Sequence, residues 1–334
     1  MMDIQKKYRC HTQRKKQILG ALVLGCLVAG ALGLYKPLAL AAALLDPDGT
    51  SGLILWQIRL PRILTALVAG AGLAGAGVIM QSVLNNPLAS PFTLGISHGA
   101  GFGAALAVMV IDPKMHGGTA ITLGAAFSSA MLTALFIIRT AKIRGANPQT
   151  MVLTGVALGA LFTAGTMFLQ YFADDVQLAA MVFWTFGDTA RTHWQGVATM
   201  AGVTGAGLAY FQFKARHYNA MDLGDDTAQG MGIPPFRTRI GGMAMASLMT
   251  AVIISFVGII GFVGLVAPHM LRRILGCDHG FLIPGSALAG ALVLMGSDWA
   301  AQYILAPHVL PVSIFTAFIG APIFMAMLEG SHGL

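Results

Sequence analysis

Residues 62–84 read RILTALVAGAGLAGAGVIMQSVL, an almost unbroken apolar run that begins at Arg62 and ends at Leu84. About 20 such residues suffice to cross the hydrocarbon core of a bilayer as a helix. From Gly70 to Gly77, glycine and alanine recur four residues apart on more than one face of that helix. Small residues let membrane helices approach closely. The run therefore predicts a membrane-spanning helix in close contact with other helices, and a GxxxG at Gly155 and Gly159 predicts the same further along.

Apolar runs of this kind fill most of the 334 residues, with 56% hydrophobic and only 10% charged side chains and a mean hydropathy of +0.74. Soluble domains have about 25% charged residues, so a sizeable water-soluble catalytic domain is excluded. The sequence predicts an all-α, polytopic membrane protein with about ten transmembrane helices. The predicted spans are 18–38, 62–84, 93–111, 118–139, 150–172, 194–213, 238–257, 260–275, 281–304 and 311–328. We divide the chain into a basic N-terminus (1–17), a transmembrane domain (18–328) and a short C-terminus (329–334).

The first span has two interpretations. One interpretation is a cleaved secretory signal, which has a basic flank, an apolar stretch and small residues at the cleavage site. Here the apolar stretch runs from Ile18 to Leu34, and small residues lie near 39–43. We favour an uncleaved first helix, because many apolar spans follow it.

Lysine and arginine are distributed unevenly between alternate loops. With the N-terminus inside, fifteen of the twenty fall on the cytoplasmic side and five on the outer side. The inner set is Lys6, Lys7, Arg9, Arg14, Lys15, Lys16, Arg139, Lys142, Arg144, Lys214, Arg216, Arg237, Arg239, Arg272 and Arg273, and the outer set is Lys36, Arg59, Arg62, Lys114 and Arg191. Cytoplasmic loops of membrane proteins carry this excess, so both termini are predicted to be cytoplasmic. The net charge of +7 is an orientation signal rather than a sign of nucleic-acid binding.

Few polar groups lie within the predicted spans. Asp298 is the one acid, and Gln302 lies one helical turn further on, where it can hydrogen-bond to the carboxylate. An intramembrane acid suggests either function or an internal partner, and we keep both interpretations. Gln81 ends the second predicted span and Asn86-Pro87 then breaks the helix, which is tolerated at membrane depth only against protein or a water-filled path. Arg59 and Arg62 begin that span at the positive end of the helix dipole, which suggests either docking of an acidic partner or contact with lipid headgroups.

The longest polar interruption is residues 214–239. Asp225 and Asp226 are placed to begin a short helix, and Gly230, Gly232 and Pro234 to end it. Two short helices joined by glycine would form a stiff, exposed element suited to pressing on a partner. A solvated loop is the alternative.

Catalytic and nucleotide motifs are missing from the sequence. It contains no GxxxxGK[ST], HExxH or GxSxG, and its single histidines and three distant cysteines suggest no metal site or disulfide. We therefore expect no enzyme activity, no metal and no cofactor in this chain.

Several stretches in one order resemble the FecCD-type permeases, the membrane subunits of ABC importers for ferric siderophores, haem and cobalamin. They begin with Arg59-Leu-Pro-Arg62, Gln81 and the run from Asn86-Pro87-Leu88 to Gly99-Ala100. Leu223-Gly-Asp-Asp-Thr-Ala228, Gly261 to Pro268-His269 and Leu310-Pro-Val through Pro322 continue the resemblance. Together they cover the chain from about residue 59 to 324.

The resemblance implies a BtuC-like (type II) importer fold in a bacterial or archaeal cytoplasmic membrane. It implies a homodimer with the substrate path between the subunits, two cytoplasmic ATPase subunits that bind ATP and Mg²⁺, and an extracytoplasmic binding protein that delivers a metal chelate. The residues assigned to ATPase coupling are Asp222, Leu223, Gly224, Asp225, Asp226, Thr227 and Gly232, and we therefore call residues 214–239 the coupling segment. Arg59 and Arg62 are assigned to binding-protein docking, and Gln81, Asn86, Leu88, Gln149 and Thr150 to the path or its inner gate. Asp298, Gln302 and His269 are assigned as structural intramembrane polar residues.

Three positions depart from the family pattern near the outer ends of the last two spans. The family often has arginine where this chain has Gln302, glutamate where it has Val309, and glycine where it has Ser313. The departures leave the class intact and bear on how a binding protein would dock.

An ion-coupled secondary transporter is the leading rival, because such folds also use broken helices, although they need midplane ion sites. A membrane enzyme and a structural scaffold are weaker rivals. The sequence leaves the chelate open between a ferric siderophore or haem, which we favour on family frequency, and cobalamin.

Overall fold

A computed structural model describes residues 2–34, 49–110, 117–143 and 147–329. Within these residues the chain forms thirteen α-helices and no strand. The helices are α1 (Met2–Gly33), α2 (Thr50–Val83), α3 (Ile96–Val110), α4 (Gly118–Ile143), α5 (Pro148–Phe172), α6 (Asp175–Thr185), α7 (Trp194–Phe213), α8 (Ala215–Met221), α9 (Asp225–Gly230), α10 (Pro235–Val257), α11 (Val263–Leu275), α12 (His279–Tyr303) and α13 (Val312–Glu329). Six of them are long and apolar enough to cross a bilayer, namely α2, α4, α5, α10, α12 and the part of α1 from Thr12.

Helix α2 forms the centre of the bundle. It packs against α7, α10, α11 and α12, while α3 packs against α4 and α5, and α1 packs against α12. Of the 18 most apolar consecutive residues of α2, 72% are buried. The same measure gives 11% for α5 and 6% for α1. The glycine-rich helix thus contacts several neighbours, as its small residues predict, and α5 presents most of its surface outward.

The close contacts of α2 depend on glycine. A Cβ atom at Gly77 would lie 1.8 Å from the carbonyl oxygen of Gly264 in α11, and one at Gly70 would lie 2.4 Å from that of Gly290 in α12. Both obstacles are backbone atoms, which cannot move aside like a side chain. Glycine is therefore required where α2 crosses its neighbours.

Replacing Gly77 by alanine is expected to destabilise the protein by about 1–3 kcal/mol, the usual cost of overpacking a core. Gly124 in α4 is the matched control, because a Cβ there meets no atom within 4 Å and alanine favours helix over glycine. Thermal unfolding of the two purified variants in detergent should show a lower midpoint for Gly77→Ala alone. Equal midpoints would refute the close-contact account.

All ten predicted spans correspond to helices, with shifted ends. The span predicted from residue 93 begins at Ile96, because the residues after α2 form turns up to Gly95. The span predicted from 260 begins at Val263, after Gly261 and Phe262, and Phe262 has a positive φ of 66°. Helix α6 was not predicted, because eleven residues are too few to cross a bilayer.

The basic stretch 1–17 and the first span form one helix, α1, which begins at Met2. Helix α1 packs along α12. At this contact the thiol of Cys26 donates to the carbonyl of Leu288 at 3.5 Å. Residues 35–38 of the first predicted span, Lys36, Lys114, Arg144 and the C-terminal residues 330–334 lie outside the described residues.

Candidate functional site

The coupling segment folds into the two short helices that its sequence predicts. Helix α8 ends at Met221, α9 begins at Asp225, and Gly224 between them has a φ of +102° and a ψ of 155°. Essentially only glycine adopts this conformation. Gly232, which follows α9, also has a positive φ, of 79°. The alternative of an irregular solvated loop is therefore wrong, and glycine sets the direction in which α9 leaves α8.

Asp222, at the end of α8, contacts three helices at once. Its carboxylate accepts a hydrogen bond of 2.7 Å from the hydroxyl of Ser82 in α2. Its second oxygen lies 3.5 Å from Arg272 Nη1 in α11 and 3.7 Å from His279 Nδ1 in α12. Asp222 thus attaches the coupling segment to the interior of the bundle, where α2, α11 and α12 meet.

Asp225, at the start of α9, forms a bidentate pair with Arg239 of α10. Its two carboxylate oxygens lie 2.8 and 3.1 Å from the two terminal guanidinium nitrogens. The Nε of Arg239 also donates to the main-chain carbonyl of Val83 at 2.6 Å. Arg239 is only 4% exposed, whereas half of the Asp225 side chain is exposed. A buried arginine thus joins the surface helix α9 to the last residue of α2.

A third contact holds α8 against the start of α12. The side-chain oxygen of Asn219 accepts from the backbone N–H of His279 at 2.8 Å, and its amide nitrogen donates to Asp278 at 3.0 Å. Burial would raise the pKa of Asp278, but hydrogen bonds from Asn219 and Gly280 and the nearby charge of Lys15 hold that pKa below its ordinary value. Asp278 therefore serves as a charged N-cap of α12.

Gln81, predicted to line the path, lies inside the bundle. It is 3% exposed, its amide nitrogen donates to the carbonyl of Leu265 in α11 at 3.4 Å, and its oxygen accepts from Arg272 at 3.4 Å. In this structure Gln81 thus links α2 to α11, and its assignment to the path stays a prediction.

The turn after α2 faces the start of α5. Asn86 accepts a hydrogen bond from the N–H of Leu88 through its side chain at 2.9 Å, and Asn85 has a positive φ of 44°. Asn85, Asn86 and Gln149 border a cavity of about 530 Å³. The structure thus brings two predicted gate residues, Asn86 and Gln149, together.

The other two predicted gate residues do not border this cavity. Leu88 is exposed on the same turn, at 42%. Thr150 is half-buried in the first turn of α5.

The other residues assigned to ATPase coupling form an exposed surface. Leu223 is 65% exposed, and Asp226 and Thr227 point outward from the first turn of α9. Next to them, Asp225, Gly232 and Pro234 border a cavity of about 520 Å³ between α9 and the start of α10. The segment therefore has an outer surface available for a partner and an inner surface fixed to the bundle.

A second polar cluster lies at the opposite end of α2. Asp298 in α12 is 3% exposed and accepts hydrogen bonds from Arg62 Nε at 3.0 and 3.1 Å, from Gln302 at 2.8 Å and from the hydroxyl of Thr189. The predicted bond between Gln302 and Asp298 is confirmed. Asp298 is thus held by internal partners.

Arg62 was predicted to dock a partner protein, but its side chain is 12% exposed and paired with Asp298. Its Nε is engaged inside the bundle, while its Nη2 has no hydrogen-bond partner among the described residues, and the assignment of Arg62 to docking stays a prediction. Arg59, at the end of the π-helical stretch Ile54–Arg59 within α2, is only partly buried and keeps the same assignment. His269 in α11 is also half-buried, and its ring lies 6.3 Å from that of Phe324 in α13.

Sequence reasoning missed the central roles of Arg239, Ser82 and Asn219. Arg239 counted only as part of the basic bias, although it lies in the second turn of a helix that carries no further charged residue. An isolated charge of this kind is a sign of a buried partner. Ser82 and Asn219 carry no signal in a single sequence. Among the described residues, no three His, Cys, Asp or Glu side chains lie close enough to hold a metal ion.

Comparison with known proteins gives related chains that align with most of this one. A provisionally named ABC transporter permease of Methanocaldococcus jannaschii is 46% identical over 98% of both chains. The Fe(3+)-citrate import system permease protein YfmE of Bacillus subtilis is 37% identical over 92% of both. The vitamin B12 import system permease protein BtuC of Klebsiella pneumoniae is 36% identical over 84% of both.

A solved structure has the same architecture. It shows an inward-facing conformation of a metal-chelate type ABC transporter, with a TM-score of 0.84, 27% identity and coverage of 94% of this chain and 99% of the other. The model of the FecCD transport family matches residues 18–329. This chain therefore belongs to the FecCD transport family, as a permease subunit of an ABC transporter of the metal-chelate type.

Proposed function

We propose that this permease forms a homodimer that imports a metal chelate across the cytoplasmic membrane, powered by two separate ATPase subunits. The observation that carries the proposal is the coupling segment, which has an exposed outer surface and a set of inner contacts with the bundle. An element of this form suits the transfer of force from a partner into the helices. ATP and Mg²⁺ would bind to the ATPase subunits, and this chain would contribute no nucleotide site.

The distribution of charge supports the orientation. Lys142 lies in the last turn of α4, and Arg272 and Arg273 lie in the last turn of α11. These residues lie at the same end of the bundle as the coupling segment. By the positive-inside rule this end faces the cytoplasm, where ATPase subunits have access to ATP.

The outward face of α5 supports a path between two copies of the chain. Leu153, Val156 and Met167 are each more than half exposed, and little of the helix is buried against the rest of the chain. The cavity bordered by Asn86 and Gln149 lies at the cytoplasmic end of this face. We propose that two α5 helices flank the chelate and that the turn after α2 closes the path on the inside. The path would open to one side of the membrane at a time. ATP and the chelate would shift the balance between the outward-open and inward-open states by binding one of them more tightly.

The opposite end would receive an extracytoplasmic binding protein. Arg59 is the more accessible candidate for charge-assisted contact with an acidic partner, because Arg62 is already paired with Asp298. The residues Gln302, Val309 and Ser313, which depart from the family pattern, lie near this end of α12 and α13.

The ion-driven alternative loses its main support. Asp298 was the one acid in the predicted spans, and its carboxylate is already occupied by Arg62, Gln302 and Thr189. A coupling ion at that site would have to displace an arginine. We therefore retain ATP-driven import as the proposed function.

The chelate is proposed from the relatives, whose names include ferric citrate and vitamin B12 import. A ferric siderophore or haem remains our first choice, with cobalamin second. The test is uptake by the complete complex in proteoliposomes, each chelate being presented on its cognate binding protein. We expect saturable, ATP-dependent accumulation of one iron chelate. Accumulation of cobalamin alone would overturn the choice of iron, and accumulation of none of them would overturn the substrate class.

A further inference from the structure

We propose that Arg239 is the positioning residue that transmits the movement of α9 to the end of α2, and through it to the inner gate. The inference rests on the proposed function, since it assumes that an ATPase subunit docks on the coupling segment. It adds a buried residue that itself contacts neither the ATPase nor the chelate.

Arg239 satisfies a backbone group that the end of α2 leaves open. The last carbonyls of a helix have no donor within it. Near the end of α2, the carbonyl of Gln81 accepts from Asn86 N–H and that of Ser82 accepts from Asn85 N–H. The carbonyl of Val83 accepts from Arg239 Nε instead, at 2.6 Å. A cation at a helix C-terminus is also favoured by the helix dipole. Arg239 is therefore the cap of α2.

The same guanidinium is bound to α9. Its two terminal nitrogens each donate to one oxygen of Asp225, and such a planar, bidentate pair fixes both distance and direction. The guanidinium is nearly fully buried, so water competes little for these bonds. A displacement of α9 would consequently pull on Val83 rather than break an exposed ion pair.

A second connection reaches the neighbouring residue of α2. Asp222 precedes α9 by three residues, and its carboxylate accepts from the hydroxyl of Ser82 at 2.7 Å. The coupling segment is thus attached on both sides of Gly224 to two successive residues at the end of α2. Asn86, which borders the cavity with Gln149, follows Val83 by only three residues. The connection from α9 to the proposed gate therefore consists of these hydrogen bonds and three residues of main chain.

The experiment follows movement at two positions in the complete transporter in lipid nanodiscs. Single cysteines replace Gln229 in α9 or Leu88 after α2, in a chain with Cys10, Cys26 and Cys277 removed, and are spin-labelled. Distances between the labels of the two copies are measured with and without ATP and vanadate, in the parent and in Arg239→Gln. The matched control is Arg237→Gln, at an exposed arginine two residues earlier.

In the parent and in Arg237→Gln we expect both distances to change with nucleotide. In Arg239→Gln we expect the change at residue 229 to persist and the change at residue 88 to be lost. Uptake per ATP hydrolysed should fall about tenfold, the size expected when a charge-assisted hydrogen bond is lost, while the ATPase subunit still co-purifies. A residue with only a structural role would not separate the two distances.

Any other pattern in Arg239→Gln contradicts the inference. If both distances still change, α9 moves α2 without Arg239, and if neither changes or the ATPase is lost, Arg239 acts in docking. Should Arg239→Gln fail to fold, Asp225→Asn, again with Arg237→Gln as its control, gives the same comparison from the other partner. A parent complex that neither binds an ATPase nor takes up chelate would refute the proposed function instead, so the two failures are distinguishable.

Discussion

Replacing Arg62 by methionine is expected to destabilise the protein by about 3–5 kcal/mol, the usual cost of leaving one member of a buried ion pair alone. Asp298 is 3% exposed, and Arg62 is its cationic partner. Methionine retains the length of the side chain but removes the charge and the two bonds from Nε. The hydroxyl of Thr189 and the amide of Gln302 would remain, and neither neutralises a carboxylate.

Thermal unfolding in detergent measures this effect. Arg59→Met, three residues earlier and only partly buried, should leave the unfolding midpoint nearly unchanged. The double variant Arg62→Met with Asp298→Leu should recover most of the loss, because replacing both charges by apolar groups is often neutral. A midpoint for Arg62→Met equal to that of the parent would show that the pair does not join α2 to α12.

Replacing Gly224 by proline is expected to abolish most of the transport while leaving the helix bundle intact. Proline fixes φ near −65°, whereas Gly224 has a φ of +102°. Proline also lacks the N–H that Gly224 donates to the carbonyl of Met221 at 3.1 Å. A backbone conformation that only glycine adopts costs other residues about 1–3 kcal/mol, so uptake should fall about 10- to 100-fold as α9 points elsewhere.

The measurement is uptake together with ATPase stimulation in proteoliposomes of the complete complex. Gly230 provides the control, since it also lies in the segment, has open space around a Cβ and lacks a positive φ. Gly230→Ala should transport normally. An unchanged unfolding midpoint for Gly224→Pro would show that the membrane domain is intact, and normal uptake by that variant would refute the coupling role of the segment.

Local patterns in the sequence were sufficient to predict most of the fold. Small residues from Gly70 to Gly77 indicate a helix in contact with several others, and α2 is that helix. Asp225, Gly230 and Pro234 indicate a short helix with defined ends, which α9 confirms. In both cases the deciding chemistry lies within a few residues of the chain, so a single sequence contains it.

Contacts between distant residues could not be predicted in this way. Arg239 lies 156 positions from Val83, and Asp298 lies 236 positions from Arg62. A lone arginine at a helix start fits a docking surface, a lipid headgroup or an ion pair equally well until its partner is known. Gln81 similarly fits a polar path by its type, yet the crossing of α2 and α11 buries it.

The most direct test of the account is uptake by the purified permease in proteoliposomes, with and without its ATPase subunit. With the ATPase, the loaded binding protein and ATP, we expect the chelate to accumulate against its gradient. Without the ATPase, we expect no accumulation under any proton or sodium gradient. Uphill accumulation by the permease alone would contradict the claim that a separate ATPase drives it through the coupling segment.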